Sequence, residues 1–170
     1  MTDGKSAKPA GRAGFGLSLK GRALRYLTAR EHSRAELERK LSAHEETPGQ
    51  LAQVLDELQA KDFINEARVV ESVVNRRAAR FGAARIRHEL QNKGLGGEAV
   101  AEAVDSFRAS ELERAREVWR SKFPAPAADA AARAKQMRFL AGRGFSGDVV
   151  RKVTSEGLKP AFEDEESPDD

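Results

Sequence analysis

Apolar residues recur every three or four positions through most of the chain, which is the spacing of one face of a helix. The clearest stripe runs from Leu51 to Leu58, and similar stripes run from Val100 to Phe107 and from Leu112 to Trp119. No stretch alternates in the manner of a half-buried strand, and Ala, Leu, Glu and Arg dominate. The pattern therefore predicts an all-α protein.

Local signals place several helix ends. Ser33 and Glu36 have the spacing of a capping box, and Asn65 is placed to cap a helix that carries four valines. Thr47 followed by Pro48 predicts a further start, with Thr47 as the N-cap and Pro48 at the first helical position. The breaks indicate at least eight helices, among them one over about 19–30 and one over about 127–141.

Residues 90–100 and 140–150 form an internal repeat with a constant offset of 50. Each segment has a basic residue and a glycine (Gly94 or Gly144) that stop one helix, and a second helix starts just beyond. A looser copy begins near Leu37. We expect three tandem three-helix repeats that pack into an elongated, curved body. One irregular bundle with chance similarity is the alternative, since shared helix punctuation can imitate a repeat.

These patterns divide the chain into five predicted segments. The repeats are predicted over 18–64, 65–108 and 109–157, between a disordered arm over 1–17 and a disordered acidic tail over 158–170.

Charge is segregated along the chain, although the net charge is only +3. Residues 1–160 hold all 30 basic and 21 acidic residues, a net charge of +9. Residues 161–170 hold six acidic residues and no basic one, a net charge of −6. A basic body is suited to polyanions or acidic protein surfaces. The contrast also suggests that the tail competes with DNA for the body.

Residues that several classes of protein function require are absent from the sequence. There is no cysteine, no apolar run long enough to span a bilayer and no apolar signal region, so a cytoplasmic protein without membrane association is expected. The three histidines, His32, His44 and His88, lie in charged segments at no metal-binding spacing and are expected to be exposed. No nucleophile, acid pair or phosphate-binding loop is recognisable, so we expect no enzyme, no cofactor and no metal.

The strongest charge feature is an arginine cluster within residues 76–88, a stretch with five arginines and no acid. Its members are Arg76, Arg77, Arg80, Arg85 and Arg87. The first three are predicted to share a face of one helix, and the other two follow on the next helix beyond Gly82. Arginine forks match phosphate oxygens and acidic side chains, so this is the candidate partner- or DNA-binding site. The alternative is a solvated surface.

Other charged and aromatic residues are predicted to be structural. A second basic group on the helix that begins near residue 111 is interspersed with glutamates, which predicts a paired solvent face. It comprises Arg114, Arg116, Arg120 and Lys122. Tyr26, Trp119 and most phenylalanines lie in apolar stripes and are predicted to be core, so base stacking is not indicated. Any nucleic-acid contact should then be to phosphates, with weak sequence preference.

Four motifs over about 19–156 resemble the RecX regulators of the RecA recombinase. They are Ser33-Arg34-Ala35-Glu36-Leu37 with Lys40-Leu41, Lys61-Asp62-Phe63-Ile64-Asn65-Glu66-Ala67-Arg68 preceded by Leu58, Phe81-Gly82 with Arg85-Ile86, Glu89-Leu90 and Lys93-Gly94, and Arg138-Phe139-Leu140 with Arg143-Gly144-Phe145. Glu45-Glu46-Thr47-Pro48 departs from the Lys-Gly stop that many members have in the first repeat.

The resemblance implies tandem three-helix repeats and a non-enzymatic regulator. It further implies binding along the groove of the RecA–single-stranded DNA filament, which limits recombinase, ATPase and coprotease activity. The expected partners are thus RecA filaments and single-stranded DNA, and the protein itself is expected to be a monomer. A helical DNA-binding module that acts as a transcription factor is the alternative, although no helix shows a clear set of base-reading side chains.

Overall fold

Helices account for all the regular secondary structure in the part of the chain that the structure describes. This structure is a computed structural model that describes residues 16–156, without the side chain of Ala99. The nine α-helices of this range are α1 (Leu19–Ala29), α2 (Arg34–Leu41), α3 (Gln50–Ala60), α4 (Glu66–Arg77), α5 (Ala83–Asn92), α6 (Glu98–Arg108), α7 (Glu111–Lys122), α8 (Ala130–Ala141) and α9 (Gly147–Glu156). The all-α prediction is confirmed. The predicted acidic tail and nearly all of the predicted N-terminal arm lie outside the described residues.

Side-chain caps start several helices where the sequence predicts them. The Ser33 hydroxyl accepts a hydrogen bond from the Glu36 amide, and the Glu36 carboxylate accepts one from the Ser33 amide, which completes the capping box. Asn65 caps α4 through the amide of Arg68. The helix predicted over about 127–141 starts later, at Ala130, because Asp129 caps it through the amide of Ala132.

The predicted start at Thr47 and Pro48 is wrong. Helix α3 begins at Gln50, because Gly49 has a φ of 87° and cannot belong to a right-handed helix. The Thr47 carbonyl instead closes a turn onto the Gln50 amide. A carboxylate from outside the helix takes over the capping role, since Glu45 accepts a hydrogen bond from the Leu51 amide at 3.1 Å.

Each group of three helices has its own apolar core. Residues of α1 to α3 enclose the first cluster, including Leu37, Leu41 and Leu55, none of which is accessible to solvent. Residues of α4 to α6 enclose the second, around Ile86, and residues of α7 to α9 enclose the third, around Leu140. The tandem three-helix repeats that the sequence predicts are therefore present. None of the helices in residues 16–156 is long and apolar enough to cross a bilayer.

The two copies of the internal repeat have the same turn. Gly94 and Gly144 both have positive φ, 75° and 81°, as expected for residues that end a helix. The hydrogen bonds also correspond, because Leu95 and Phe145 donate back to the carbonyls of Leu90 and Leu140 at 3.0 and 3.4 Å. The offset of 50 residues therefore reflects one repeated structure and not chance.

These glycine turns connect neighbouring repeats. The turn after α8 lies against the start of α5, where Gly82 donates to the Arg143 carbonyl at 2.9 Å and Ala84 donates to the Gly144 carbonyl at 3.2 Å. The turn after α5 lies in the same way against the start of α2, where the Ser33 hydroxyl donates to the Lys93 carbonyl. The second and third repeats thus each place the end of their second helix on the start of the second helix of the repeat before them.

Candidate functional site

The arginine cluster surrounds the connection between α4 and α5. Arg76 and Arg77 lie in the last turn of α4, and Arg85 and Arg87 lie on α5. Arg80 lies in the connecting turn, so the prediction that it shares a helix face with Arg76 and Arg77 is wrong. Helix α4 ends at Arg77, and the amides of Arg80 and Phe81 turn back onto the Arg77 carbonyl at 3.0 and 3.1 Å, so that Gly82 is the first residue whose amide bonds to the next repeat, at the Arg143 carbonyl.

Ion pairs divide the five arginines into two groups. Nε of Arg77 lies 2.9 Å from Oε2 of Glu89, and Nη2 of Arg87 lies 4.0 Å from Oδ1 of Asp105. Both acids follow the acid-free stretch in sequence, which is why the sequence pattern did not reveal them. Among residues 16–156, no carboxylate is within ion-pair distance of the other three arginines, and these three side chains are exposed. They are Arg76, Arg80 and Arg85.

Phe81 lies at the centre of this surface. Its ring is half-buried and belongs to none of the three apolar cores. The guanidinium carbons of Arg77, Arg80 and Arg85 lie 5.6, 5.8 and 5.9 Å from the ring centroid. Phe81 is therefore a surface aromatic residue among cations and an exception to the predicted core role of the phenylalanines.

A buried carboxylate connects the second repeat to the third beside this surface, at the start of α5. Glu111 is 4% exposed, and its Oε1 accepts a hydrogen bond from the Ala83 amide at 3.0 Å. Its Oε2 accepts the Ser146 hydroxyl at 3.0 Å. A carboxylate is favourable at this place because the first amides of a helix are unpaired and carry partial positive charge. The sequence pattern predicts that the glutamates of α7 lie on a solvent face, which is wrong for Glu111; the clue in the sequence is that Gly82 offers α5 no side-chain cap.

The junction between the first and second repeats is held by a different carboxylate. Oε1 of Glu36 lies 2.9 Å from Nη2 of Arg30 and 2.7 Å from Nζ of Lys93. Burial acts to raise the pKa of Glu36, but hydrogen bonds from Arg30, Lys93 and the Ser33 amide outweigh it and lower the pKa to about 2. Lys93 thus connects the repeats twice, through its side chain and through the carbonyl that accepts the Ser33 hydroxyl.

His32 lies beside this junction and corrects the expectation that all three histidines are exposed. Its side chain is 3% exposed, whereas His44 and His88 are exposed as expected. The ring stacks obliquely on Tyr26, with 5.6 Å between centroids, and Nδ1 lies 3.0 Å from the Arg30 carbonyl. Burial lowers the pKa of the imidazole below its ordinary value of 6.5. The reversal of the chain between α1 and α2 brings these residues together.

The second basic group is only partly the predicted solvent face. Arg116 forms ion pairs with Glu113 at 2.9 Å and with Glu156 of α9 at 2.7 Å, and Arg120 lies 4.0 Å from Glu113. Arg114 instead stacks on Phe107, with its guanidinium carbon 3.3 Å from the ring centroid. Arg114 and Arg116 thus bind residues of neighbouring helices, whereas Arg120 pairs within α7 and Lys122 is exposed, so only the last two fit the predicted solvent face.

Three comparisons place the chain among known proteins. The first, second and third three-helix domains described for RecX match residues 20–58, 65–104 and 109–154. A regulatory protein RecX from Leptothrix cholodnii is 61% identical over 137 residues, which are 81% of this chain and 87% of that protein. The chain belongs to the RecX family. A regulatory protein RecX from Ralstonia nicotianae is 46% identical over 152 residues, 89% of this chain and 95% of that protein.

Solved RecX structures share the fold of this RecX chain at much lower sequence identity. The crystal structure of RecX from Lactobacillus salivarius is 21% identical, has a TM-score of 0.66 and is covered over 93% of its length by 81% of this chain. Another crystal structure of a regulatory protein RecX is 20% identical with a TM-score of 0.64, over 81% of this chain and 71% of that one. At such identities the likeness concerns the fold alone, and the three-repeat RecX architecture is what the structures have in common.

Proposed function

We propose that this protein is a non-enzymatic modulator, mainly an inhibitor, of the RecA recombinase. It binds as a monomer in the groove of the RecA–single-stranded DNA filament, in the cytoplasm, and limits ATP hydrolysis, strand exchange and coprotease activity. These roles belong to homologous recombination, DNA repair and the SOS response. The observation that carries the proposal is the match of all three repeats to RecX domains, together with close relatives named regulatory protein RecX.

The structure supports this proposal through the serial arrangement of the repeats. Three separate cores are joined by turn-to-helix contacts, so several surfaces can be presented to one extended partner. Binding through several linked contacts raises the overall affinity without requiring a strong individual site. A filament of repeated subunits is a partner that offers contacts at regular intervals.

The arginine cluster supplies the proposed contacts to DNA. Arg76, Arg80 and Arg85 are exposed without a carboxylate partner among the described residues, so their guanidinium groups can bind phosphate at no cost of a broken ion pair. Arg77 and Arg87 would have to give up Glu89 and Asp105 first. Contacts to phosphate imply weak sequence preference and strong dependence on salt.

The test is a titration of the protein into preformed RecA filaments on single-stranded DNA, with ATP hydrolysis as the readout. We expect the rate to fall until the filament is saturated. The variant with Arg76, Arg80 and Arg85 changed to alanine should need more protein to reach the same inhibition. A matched variant with Arg120 and Lys122 changed to alanine should behave as wild type. An unchanged ATPase rate at saturating wild-type protein would overturn the proposal.

A further inference from the structure

Phe81 and the arginines around it form a site whose chemistry differs from that of a basic surface alone. We propose that this site binds a base of a single nucleic-acid strand by stacking on the Phe81 ring, while Arg80 and Arg85 bind the flanking phosphates. The inference deepens the proposed function and rests on it only for the identity of the strand within a RecA filament.

The first argument is uncompensated charge. Three guanidinium groups converge on one ring at 5.6 to 5.9 Å, and only Arg77 has a carboxylate partner among the described residues, Glu89 at 2.9 Å. Distances close to 6 Å are at the outer end of the cation–π range, so the ring offsets little of the repulsion between the cations. An anion bound between Arg80 and Arg85 would relieve that repulsion.

The second argument is the position of the ring. Phe81 lies in the turn between α4 and α5, outside the apolar cores, and keeps part of its surface in solvent. An aromatic ring among arginines is typical of surfaces that bind single strands, because every base has a π-face and stacks without regard to sequence. An acidic peptide would use the arginines but would have no use for the ring. A base within a duplex would have to leave its stack to reach it.

The third argument concerns the neighbouring repeat. The Arg143 carbonyl accepts the Gly82 amide at 2.9 Å, which brings the backbone of Arg143 next to the residue that follows Phe81. The Arg143 guanidinium lies 3.7 Å from the centroid of the Phe139 ring, so a second arginine–aromatic pair lies across the junction. The Phe139 ring is packed against Phe123 and the third core, so a strand that stacks on Phe81 can continue toward Arg143.

The start of α5 is not itself the anion site. Its first amides are already bonded, because Ala83 donates to Glu111 and the neighbouring amides of Gly82 and Ala84 donate to the carbonyls of Arg143 and Gly144. The side chains of Arg80 and Arg85 are thus the groups available to phosphate.

The test compares a strand that has bases with one that has none. Binding of fluorescent oligothymidylate and of an abasic oligonucleotide of equal length is measured by anisotropy, without RecA. We expect Phe81→Leu to weaken oligothymidylate binding about tenfold and to leave the abasic strand unchanged. Arg80→Ala with Arg85→Ala should weaken both. Phe63→Leu is the matched control, since Phe63 is 48% exposed in the first repeat and should have no effect.

A second variant keeps the result interpretable if Phe81→Leu disturbs folding. Phe81→Tyr retains the ring and should bind oligothymidylate within twofold of wild type. The inference is overturned if Phe81→Leu weakens neither strand, if it weakens both equally, or if Phe81→Tyr is as weak as Phe81→Leu. RecA inhibition by wild-type protein is a separate readout: if it persists in any of these cases, only the stacking site has failed. If it is absent while the base-dependent binding is found, only the proposed function has failed.

Discussion

A methyl group added at Gly144 would lie 2.5 Å from the backbone nitrogen of Arg85, although the two residues belong to different repeats. The contact brings the turn after α8 against the first turn of α5. Because the obstacle is backbone, it cannot move aside as the end of a flexible side chain would. The glycine is therefore required twice, by its φ of 81° and by the close approach of the neighbouring repeat.

Gly144→Ala should lower the free energy of unfolding by about 3 kcal/mol or more, since left-handed strain and overpacking add. Gly49→Ala is the matched control, because Gly49 has a similar φ of 87° but nothing within 4 Å of the added methyl group. It should cost only about 1 kcal/mol. Urea unfolding of both variants measures the difference, and equal losses would show that the contact between repeats contributes little.

Removal of the Glu111 carboxylate should weaken the junction between the second and third repeats. Glu111→Ala leaves the buried Ala83 amide without its acceptor and should lower the free energy of unfolding by about 2 kcal/mol. Glu117→Ala, on the exposed side of the same helix, should change it by less than about 0.5 kcal/mol. Thermal and urea unfolding check this, and a harmless Glu111→Ala would mean that solvent caps α5 equally well.

Glu36 should make stability depend on acid pH. Its pKa is about 2 in the folded protein, against 4.5 ordinarily, so the unfolded chain binds the proton more readily between these values. The contribution of the ionised group is complete above pH 4.5 and is lost as the pH falls toward 2, on the order of 2 kcal/mol. Urea unfolding from pH 6 to pH 2.5 should show this slope in wild type and a shallower one in Glu36→Gln. Parallel slopes would contradict it.

His32 should contribute a separate dependence at higher pH. Because burial lowers its pKa below 6.5, the unfolded chain binds the proton more readily, and stability falls as the pH decreases below about 6.5. The variant His32→Gln should lose this slope, whereas His88→Gln, at an exposed position, should retain it. Unfolding free energies between pH 7.5 and 5.5 provide the measurement. A slope that survives in His32→Gln would assign it to another group.

The three exposed arginines should determine the salt dependence of DNA binding. With Arg76, Arg80 and Arg85 changed to alanine, the slope of log affinity against log salt for a single strand should fall by about 2, because about 0.7 counterion is released per phosphate contact. The loss should be similar for strands of different sequence. Binding titrations at several salt concentrations test this, and an unchanged slope would make the cluster a solvent-facing surface.

The sequence predicted most of what depends on neighbours along the chain. The capping box at Ser33, the Asn65 cap and the glycine turns at Gly94 and Gly144 are decided within a few positions, so their residue types reveal them. The spacing of apolar residues likewise predicted the helices, and the internal repeat predicted their grouping in threes. The start of α3 was missed because Gly49 adopts a left-handed conformation that the residue types around it do not predict.

Contacts between distant residues were not predictable in the same way. Glu111 lies 28 residues from the amide it caps, and Glu89 lies just beyond the acid-free stretch 76–88. The burial of His32 results from the packing of α1 against α2, and no local sequence pattern predicts that packing. As a result, the sequence placed Arg76 and Arg77 on one helix and Arg85 and Arg87 on the next, but the place of Arg80 and the division into paired and unpaired arginines required the fold.

The contact between the turn of one repeat and the helix start of the repeat before it makes the two ends of the repeat array different. The first repeat ends its second helix with the short turn Ser42–His44 and no Lys-Gly stop, and the described residues contain no earlier repeat on which such a stop could sit. At the other end, α8 has its own cap in Asp129, where α5 relies on the following repeat. Because α2 receives the Lys93 turn although Ser33 caps it, an engineered fourth unit could be appended after α9 with its turn placed on the capped start of α8, whereas a unit placed before α1 would require the first turn to be rebuilt.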